Sequence, residues 1–263
     1  MARDSLKSVM RLIDATAKEL PPEQAFLADL KKSIEVDDLN GNRKPSQTYK
    51  PSSMNCIRSM YYQVVGKEVK PSTNGYMMIG ICNSGTDIHI RTQNAIEHMN
   101  NNGIDCAYID VADFIYAREL NDLEVKEKCG METKLYHKKL NMSFMTDGII
   151  RYNNKYYILE IKTEASFKWQ SRQNVDPKHY NQGTAYSIAF GLDDVIFIYI
   201  NRDILDMKAY MLHVTDDMKQ ELIGKIDNCD GYVKRQVTPP KPDDLPRNTC
   251  TYCSYKDICD KEK

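Results

Sequence analysis

The sequence predicts an α/β fold in which a mixed central sheet is flanked by helices, and three stretches of it carry that expectation. Residues 144–163, FMTDGIIRYNNKYYILEIKT, set two apolar runs around Asn153-Asn154-Lys155, the pattern of a β-hairpin. Residues 195–200, VIFIYI, form an uninterrupted apolar run of the kind found at the centre of a sheet. Between them, Pro177 to Phe190 has the apolar spacing of a helix.

From the N-terminus, Leu6, Val9, Met10, Ile13, Ala17 and Leu20 recur at helical spacing until Pro21-Pro22 interrupts them. A second amphipathic helix is predicted from Glu23 to about Ile34, and the polar stretch from Asp37 to Lys50 reads as a loop. Pro51, Ser52 and Ser53 can start the next helix, which places Cys56 one turn from Met60. Within residues 75–100 the second half fits a helix with Ile88, Thr92 and Ile96 on one stripe and His89 beside it. Residues 101–128 can supply a helix or strands. After the 195–200 strand, Lys208 to Val214 is the expected neighbouring strand and Asp216 to Ile226 the final amphipathic helix. The segment VTPPKPDDLPRN then predicts an irregular arm.

At 263 residues the chain can bury a sizeable core. No apolar run is long enough to span a bilayer and no apolar signal segment follows Met1, so a soluble cytoplasmic protein is expected, in the host cytoplasm if a virus encodes it. The formal charge of -1 offers nucleic acid no global attraction, and any DNA site must be a local basic patch.

The chemistry is concentrated in the hairpin. Under the two-residue period of a strand, Tyr156, Ile158, Glu160 and Lys162 share one face while Tyr157, Leu159 and Ile161 point to the other. Asp147 on the preceding strand can complete an acidic pocket with Glu160. The plain alternative for Glu160 and Lys162 is a partly exposed ion pair. This Asp-x(n)-Glu-x-Lys arrangement resembles the catalytic core of the PD-(D/E)XK nuclease superfamily, with its restriction-endonuclease-like fold. There two carboxylates hold a hard cation such as Mg²⁺ or Mn²⁺, and an ammonium stabilises developing charge or orients the attacking water.

Two further elements match the RecB-like subset of that superfamily: Gly85-x3-His89 ahead of the acidic pair and Gln182-x3-Tyr186 after it. The resemblance implies that His89, Asp147, Glu160 and the Ile161 carbonyl hold the metal, that Lys162 assists water attack, and that Gln182 and Tyr186 support the site. Lys138 and Lys139, beside Lys134 and His137, form a basic patch that can contact phosphate or remain a solvated face. Phe167, Lys168, Trp169 and Arg172 can form a lip that stacks a base or holds a backbone, or Trp169 can pack in the core. Glu132 can be a strand-borne carboxylate near the site, although a solvent-facing role is the expectation.

The chain has eight cysteines. Cys82, Cys106, Cys129 and Cys229 lie apart and read as isolated thiols, whereas Cys250-x2-Cys253-x5-Cys259 is a ligand set lacking one member. With the early Cys56, this combination resembles the iron–sulfur nucleases of the Cas4 and AddB type. It implies a [4Fe–4S] cluster held by Cys56, Cys250, Cys253 and Cys259, and four thiolates can equally hold zinc. The implied organisation is an N-terminal helical extension at 1–50, a RecB-like nuclease core at 51–235, and a cluster-completing arm at 236–263. The implied function is a metal-dependent deoxyribonuclease, an exonuclease on single-stranded DNA or duplex ends, working with a helicase, recombination or CRISPR-acquisition partner. The competing readings are a noncatalytic DNA-binding or assembly subunit and a zinc-stapled structural protein.

Overall fold

The computed structural model describes residues 21–40, 46–69, 75–129, 132–245, 249–251 and 253–262. The helix expected over Leu6 to Leu20 lies outside them. Two compact units are formed, one from Met1–Asn42 with Thr73–Ile81 and the other from residues 43–72 with 82–263.

In the first unit, helix α1 (Pro22–Asn40) runs further than the stretch predicted to end near Ile34. Asp37 and Asp38 are polar without being helix breakers, so composition alone placed the loop too early. Glu35 accepts the Tyr76 amide hydrogen at 3.0 Å, and the Lys31 ammonium lies 4.7 Å from the centre of the Tyr76 ring.

The second unit is an α/β fold on two sheets. Its further helices are α2 (Ile57–Val64), α3 (Tyr76–Glu97, in this unit from Cys82 onward), α4 (Val111–Ala117), α5 (Ser166–Gln170), α6 (Tyr180–Phe190), α7 (Asp216–Arg235) and α8 (Lys256–Cys259). The strands are β1 (Cys106–Ile109), β2 (Leu123–Cys129), β3 (Glu132–His137), β4 (Met142–Thr146), β5 (Gly148–Tyr152), β6 (Lys155–Glu164), β7 (Asp194–Asn201) and β8 (Met207–His213). A mixed five-stranded sheet has the order β1-β5-β6-β7-β8, and β2-β3-β4 make a separate three-stranded sheet. Only β6 and β7 pair in parallel, because α6 carries the chain back between them; the other neighbours are antiparallel.

The β5–β6 hairpin closes through Asn153 and Asn154, whose φ angles of 46° and 64° give the left-handed turn that asparagine tolerates. Along β6 the expected alternation holds. Ile158 enters one core with Phe144, Phe190, Phe197 and Leu222, while Leu159 and Ile161 enter another with Ile88, Ile96 and Ile200. Helices therefore cover both faces of the large sheet, which is why β7 reads as a continuous apolar run.

The two ends of this unit meet through polar contacts. Arg58 on α2 donates from Nε to the Pro239 carbonyl at 2.7 Å and from Nη1 to the Glu262 carbonyl at 3.0 Å. The Tyr62 hydroxyl donates to Glu262 Oε2 at 2.7 Å. Arg58 is 9 % exposed, so its guanidinium joins the ends where a metal staple was expected. Among the described residues, no helix is long and apolar enough to cross a membrane.

Candidate active site

The chain leaves the small sheet and enters the large one at Asp147, between the end of β4 and the start of β5. Asp147 is 7 % exposed. Its Oδ2 accepts the Ile161 amide hydrogen at 2.6 Å, and its Oδ1 lies 3.3 Å from His89 Nδ1. Ile161 thus enters the site through its N–H, on the strand that carries Glu160 and Lys162. The Asp147 carbonyl is held in turn by the Tyr108 hydroxyl at 2.5 Å and Gln93 Nε2 at 3.1 Å. Gln93 stands one helical turn after His89 on α3, so that helix face presents both residues.

Glu132 joins them through strand register. Thr133 of β3 pairs with Thr146 of β4, which sets Glu132 across from Asp147. Among the described residues, one group of possible metal ligands has its donor atoms within 4.8 Å of one another: His89, Glu132 and Asp147. One imidazole and two carboxylates are a donor set suited to a hard or borderline divalent cation. Burial opposes protonation of His89, but the hydrogen bond and charge of Asp147 outweigh it and raise the imidazole above its usual value. Burial and the Asp147 charge likewise raise the Glu132 carboxyl. The sequence expectation that Glu132 faces solvent is therefore corrected: the first residue of a short strand looks exposed until its pairing is known.

Glu160 is 4 % exposed on the neighbouring strand. Its Oε1 accepts from Lys162 Nζ at 2.5 Å and from Gln182 Nε2 at 2.7 Å. Gln182 also donates to the Tyr186 hydroxyl at 2.9 Å, and that hydroxyl donates to the Met145 carbonyl at 2.9 Å. The helix pair Gln182 and Tyr186 consequently links the Glu160 carboxylate to β4 just before Asp147. Burial pushes the Glu160 carboxyl up to about 7, against the opposing pull of Lys162. Such a buried carboxylate gains from any cation that compensates its charge.

Two glycines make this approach possible. A Cβ on Gly85 would lie 3.3 Å from Thr163 Oγ1, so glycine allows α3 to carry His89 close to β6. Gly148 has φ +141°, and a Cβ there would lie 2.2 Å from the Tyr108 hydroxyl oxygen. Gly148→Ala is expected to force Tyr108 off the Asp147 carbonyl and to lower stability by about 1–3 kcal/mol through backbone strain. A urea midpoint equal to the parental one would refute this.

The expected cysteine cluster is corrected. Cys56, Cys250, Cys253 and Cys259 have free thiols and border one cavity of about 450 Å³. Among the described residues their sulfurs form no ligand group within the 4.8 Å that unites His89, Glu132 and Asp147. Cys259 Sγ instead accepts from Arg58 Nη1 at 3.4 Å. The metal centre that the geometry offers is built of histidine and carboxylates, and the iron–sulfur or zinc assignment is withdrawn. Among the described residues no distinct C-terminal cluster arm is evident.

The expected DNA-contacting residues are also placed differently. Trp169 is 9 % exposed, and its indole N–H donates to the Tyr199 carbonyl at 3.1 Å, so the ring packs and is not presented for stacking. Arg172 grips Glu164 with Nε and Nη2, each at 2.7 Å, and Lys168 pairs with Glu164 and Asp176 at 2.7 and 3.0 Å. Lys138 and Lys139 sit at the β3–β4 turn, the far end of that hairpin from Glu132, at roughly 17 Å for five residues of strand. Lys139 pairs with Asp122 there at 2.7 Å. Phe167, 79 % exposed, is the aromatic that the predicted lip presents to solvent.

No family model and no curated protein matches the chain. Among solved structures it is similar to the crystal structure of SSO0001, with 17 % identity and a TM-score of 0.47 over 91 % of this chain and 98 % of that one. It is also similar to an alkaline exonuclease, LHK-Exo, from Laribacter hongkongensis, with 9 % identity and a TM-score of 0.44 over 73 % of this chain and 90 % of that one. The same exonuclease in complex with dAMP gives 9 % identity and a TM-score of 0.43, over 72 % and 89 % of the two chains. Likeness at this level carries no chemistry across, and the functional reading rests on the site itself.

Proposed function

We propose that this protein is a divalent-cation-dependent nuclease with a PD-(D/E)XK-type core, hydrolysing DNA phosphodiester bonds as an exonuclease on single strands or duplex ends. The observation that carries the reading is the convergence of His89, Asp147 and Glu132, with the buried Glu160–Lys162 pair on the strand that Asp147 touches. His89, Asp147 and Glu132 would hold Mg²⁺ or Mn²⁺, with Glu160 and the Ile161 carbonyl beside them. Bound there, the cation would polarise a phosphoryl oxygen and acidify a coordinated water. Lys162 is 22 % exposed in its side chain, enough to reach solvent and a substrate phosphate, and its ammonium offsets charge developing on the phosphoryl group. Gln182 and Tyr186 keep Glu160 in place, while Gln93 and Tyr108 fix the backbone of Asp147.

In this reading residues 51–235 are the catalytic core and residues 1–50 an extension. The test is incubation with end-labelled linear and circular single- and double-stranded DNA in Mg²⁺, Mn²⁺ or chelator. Cleavage confined to linear DNA with either metal is expected. The absence of cleavage under all metal conditions, or cleavage that survives chelation, would sink the proposal.

A further inference from the structure

His179 belongs to no motif singled out in the sequence, yet its ring lies on the face of the sheet that carries the catalytic pair. In the parallel register of β6 and β7, Glu160 is beside Phe197 and Lys162 beside Tyr199. The imidazole stacks on both aromatic neighbours, with centroids 5.9 Å from each and interplanar angles of 7° and 20°. Helical spacing gives the same placement. His179, Gln182 and Tyr186 follow at intervals of three and four, and Gln182 already meets Glu160. Because α6 returns antiparallel to β6, the residue one turn before Gln182 falls toward Lys162.

The hydrogen bonds of the ring fix which nitrogen is available. The Tyr199 hydroxyl oxygen accepts the Asp176 amide hydrogen at 3.0 Å and lies 2.9 Å from His179 Nδ1. With the Tyr199 oxygen already accepting the Asp176 amide hydrogen, we assign the phenol proton to His179 Nδ1, and a neutral ring then carries its own hydrogen on Nε2. Burial, followed by the charges of Lys162 and Lys178, pushes the imidazole down to about 2 and keeps it neutral. Among the described residues Nε2 meets no hydrogen-bond partner. The ring is thus a held, uncharged N–H donor beside the Lys162 ammonium, with one nitrogen anchored and the other unspent.

We propose that His179 is a substrate-contacting residue whose Nε2–H donates to a non-bridging oxygen of the nucleic-acid phosphate bound beside Lys162. The inference rests on the nuclease reading and adds to it a second, neutral phosphate donor. A neutral donor complements an ammonium here: it supplies direction without adding charge to a site that must also admit a cation.

The test compares the parental protein with His179→Phe, which keeps an aromatic ring in the stack, and His179→Gln, which keeps a side-chain N–H donor. Each is assayed on single-stranded DNA carrying a normal phosphate or either phosphorothioate diastereomer at one position. His179→Phe is expected to lower kcat/KM by about ten- to a hundredfold, and His179→Gln to recover part of that. The diastereomer that slows the parental protein should add little further slowing to His179→Phe, because sulfur and the substitution remove the same contact. Should His179→Phe not fold, the same sulfur comparison on His179→Gln decides the matter. Parental kcat/KM in His179→Phe, or equal losses in both variants with an undiminished sulfur effect, would overturn the role. A parental protein that cuts no DNA with either metal overturns the nuclease reading before any His179 variant is made, and the inference with it.

Discussion

Glu160→Gln is expected to abolish cleavage and, at the same time, to raise the thermal unfolding midpoint of the metal-free protein above neutral pH. Glu160 is 4 % exposed, and burial raises its carboxyl to about 7 from an ordinary 4.5. For a group raised on folding, the favourable contribution is complete below the unfolded value of 4.5 and is lost as the pH climbs through about 7. Above that pH the metal-free fold carries a poorly solvated carboxylate. Glutamine retains the oxygen that accepts from Gln182 and Lys162 while removing the charge. The stabilisation and the loss of activity share one cause, because the charge that destabilises the metal-free fold is the charge a cation needs. Asp147→Asn should also lose activity, by about 10²–10³-fold or more, while its amide oxygen can still accept the Ile161 N–H. Scanning calorimetry without metal and cleavage assays with Mn²⁺ check both halves. A Glu160→Gln protein that cuts normally, or that melts below the parental protein at alkaline pH, would be inconsistent with the site.

Arg172→Ala should produce the largest loss of stability among single substitutions near the site. Its guanidinium holds Glu164 in a fork, reaches Asp176 at 3.1 Å and the Asn174 carbonyl at 3.0 Å, and lies 4.3 Å from the centre of the Tyr199 ring. The side chains of Arg172 and Glu164 are 8 % and 4 % exposed, so removing the arginine leaves a buried carboxylate with, among the described residues, only Lys168 to compensate it. A broken buried pair costs about 3–5 kcal/mol, and the remaining lysine places this case near the lower bound.

The same network sets an acid limit. Burial works to raise Glu164 and Asp176, but the hydrogen bonds from Arg172 and Lys168 to Glu164, and from Lys168 to Asp176, prevail and lower both carboxyls. Asp176 falls from 3.8 to about 2. For groups lowered on folding, the stability is present above the ordinary carboxyl range and disappears as the pH falls toward 2. In Arg172→Ala the acid-unfolding midpoint should therefore move to higher pH. Urea titrations across the acid range test this, and an unchanged midpoint with a stability loss under about 1 kcal/mol would show the network to be marginal.

Arg172 and Trp169 also show where side-chain chemistry read from sequence goes astray. Both looked suited to a nucleic-acid lip, because an arginine and an indole close after a catalytic strand have the right donors and π-surface. Each is instead spent on the fold: Trp169 N–H on Tyr199, and Arg172 on Glu164. The buried Glu164 that demands this arginine lies at the end of β6, and its burial is not visible in a sequence where it appears as one more charge after Lys162.

By itself the sequence determined the local periodicities and hence the sheet. The two-residue alternation from Tyr156 to Lys162 placed Glu160 and Lys162 on one face, Asn153-Asn154 closed the hairpin, and the apolar run of β7 announced a strand covered on both sides. Its resemblance to the RecB-like nucleases brought Asp147, Glu160, Gln182 and Tyr186 forward as one set, and short-range spacing put Gln182 and Tyr186 on one helix face. Only the tertiary structure decided which distant groups complete that set. Glu132 reaches Asp147 by the register of β3 on β4, and His179 reaches the sheet face that carries Glu160 and Lys162 by stacking on residues of β7. It likewise decided that Arg58, rather than four cysteines around a metal, joins the ends of the unit. Strand register, stacking across strands and the spacing of thiols far apart in sequence depend on long-range packing, and local pattern does not encode the distances on which a metal or a phosphate site depends.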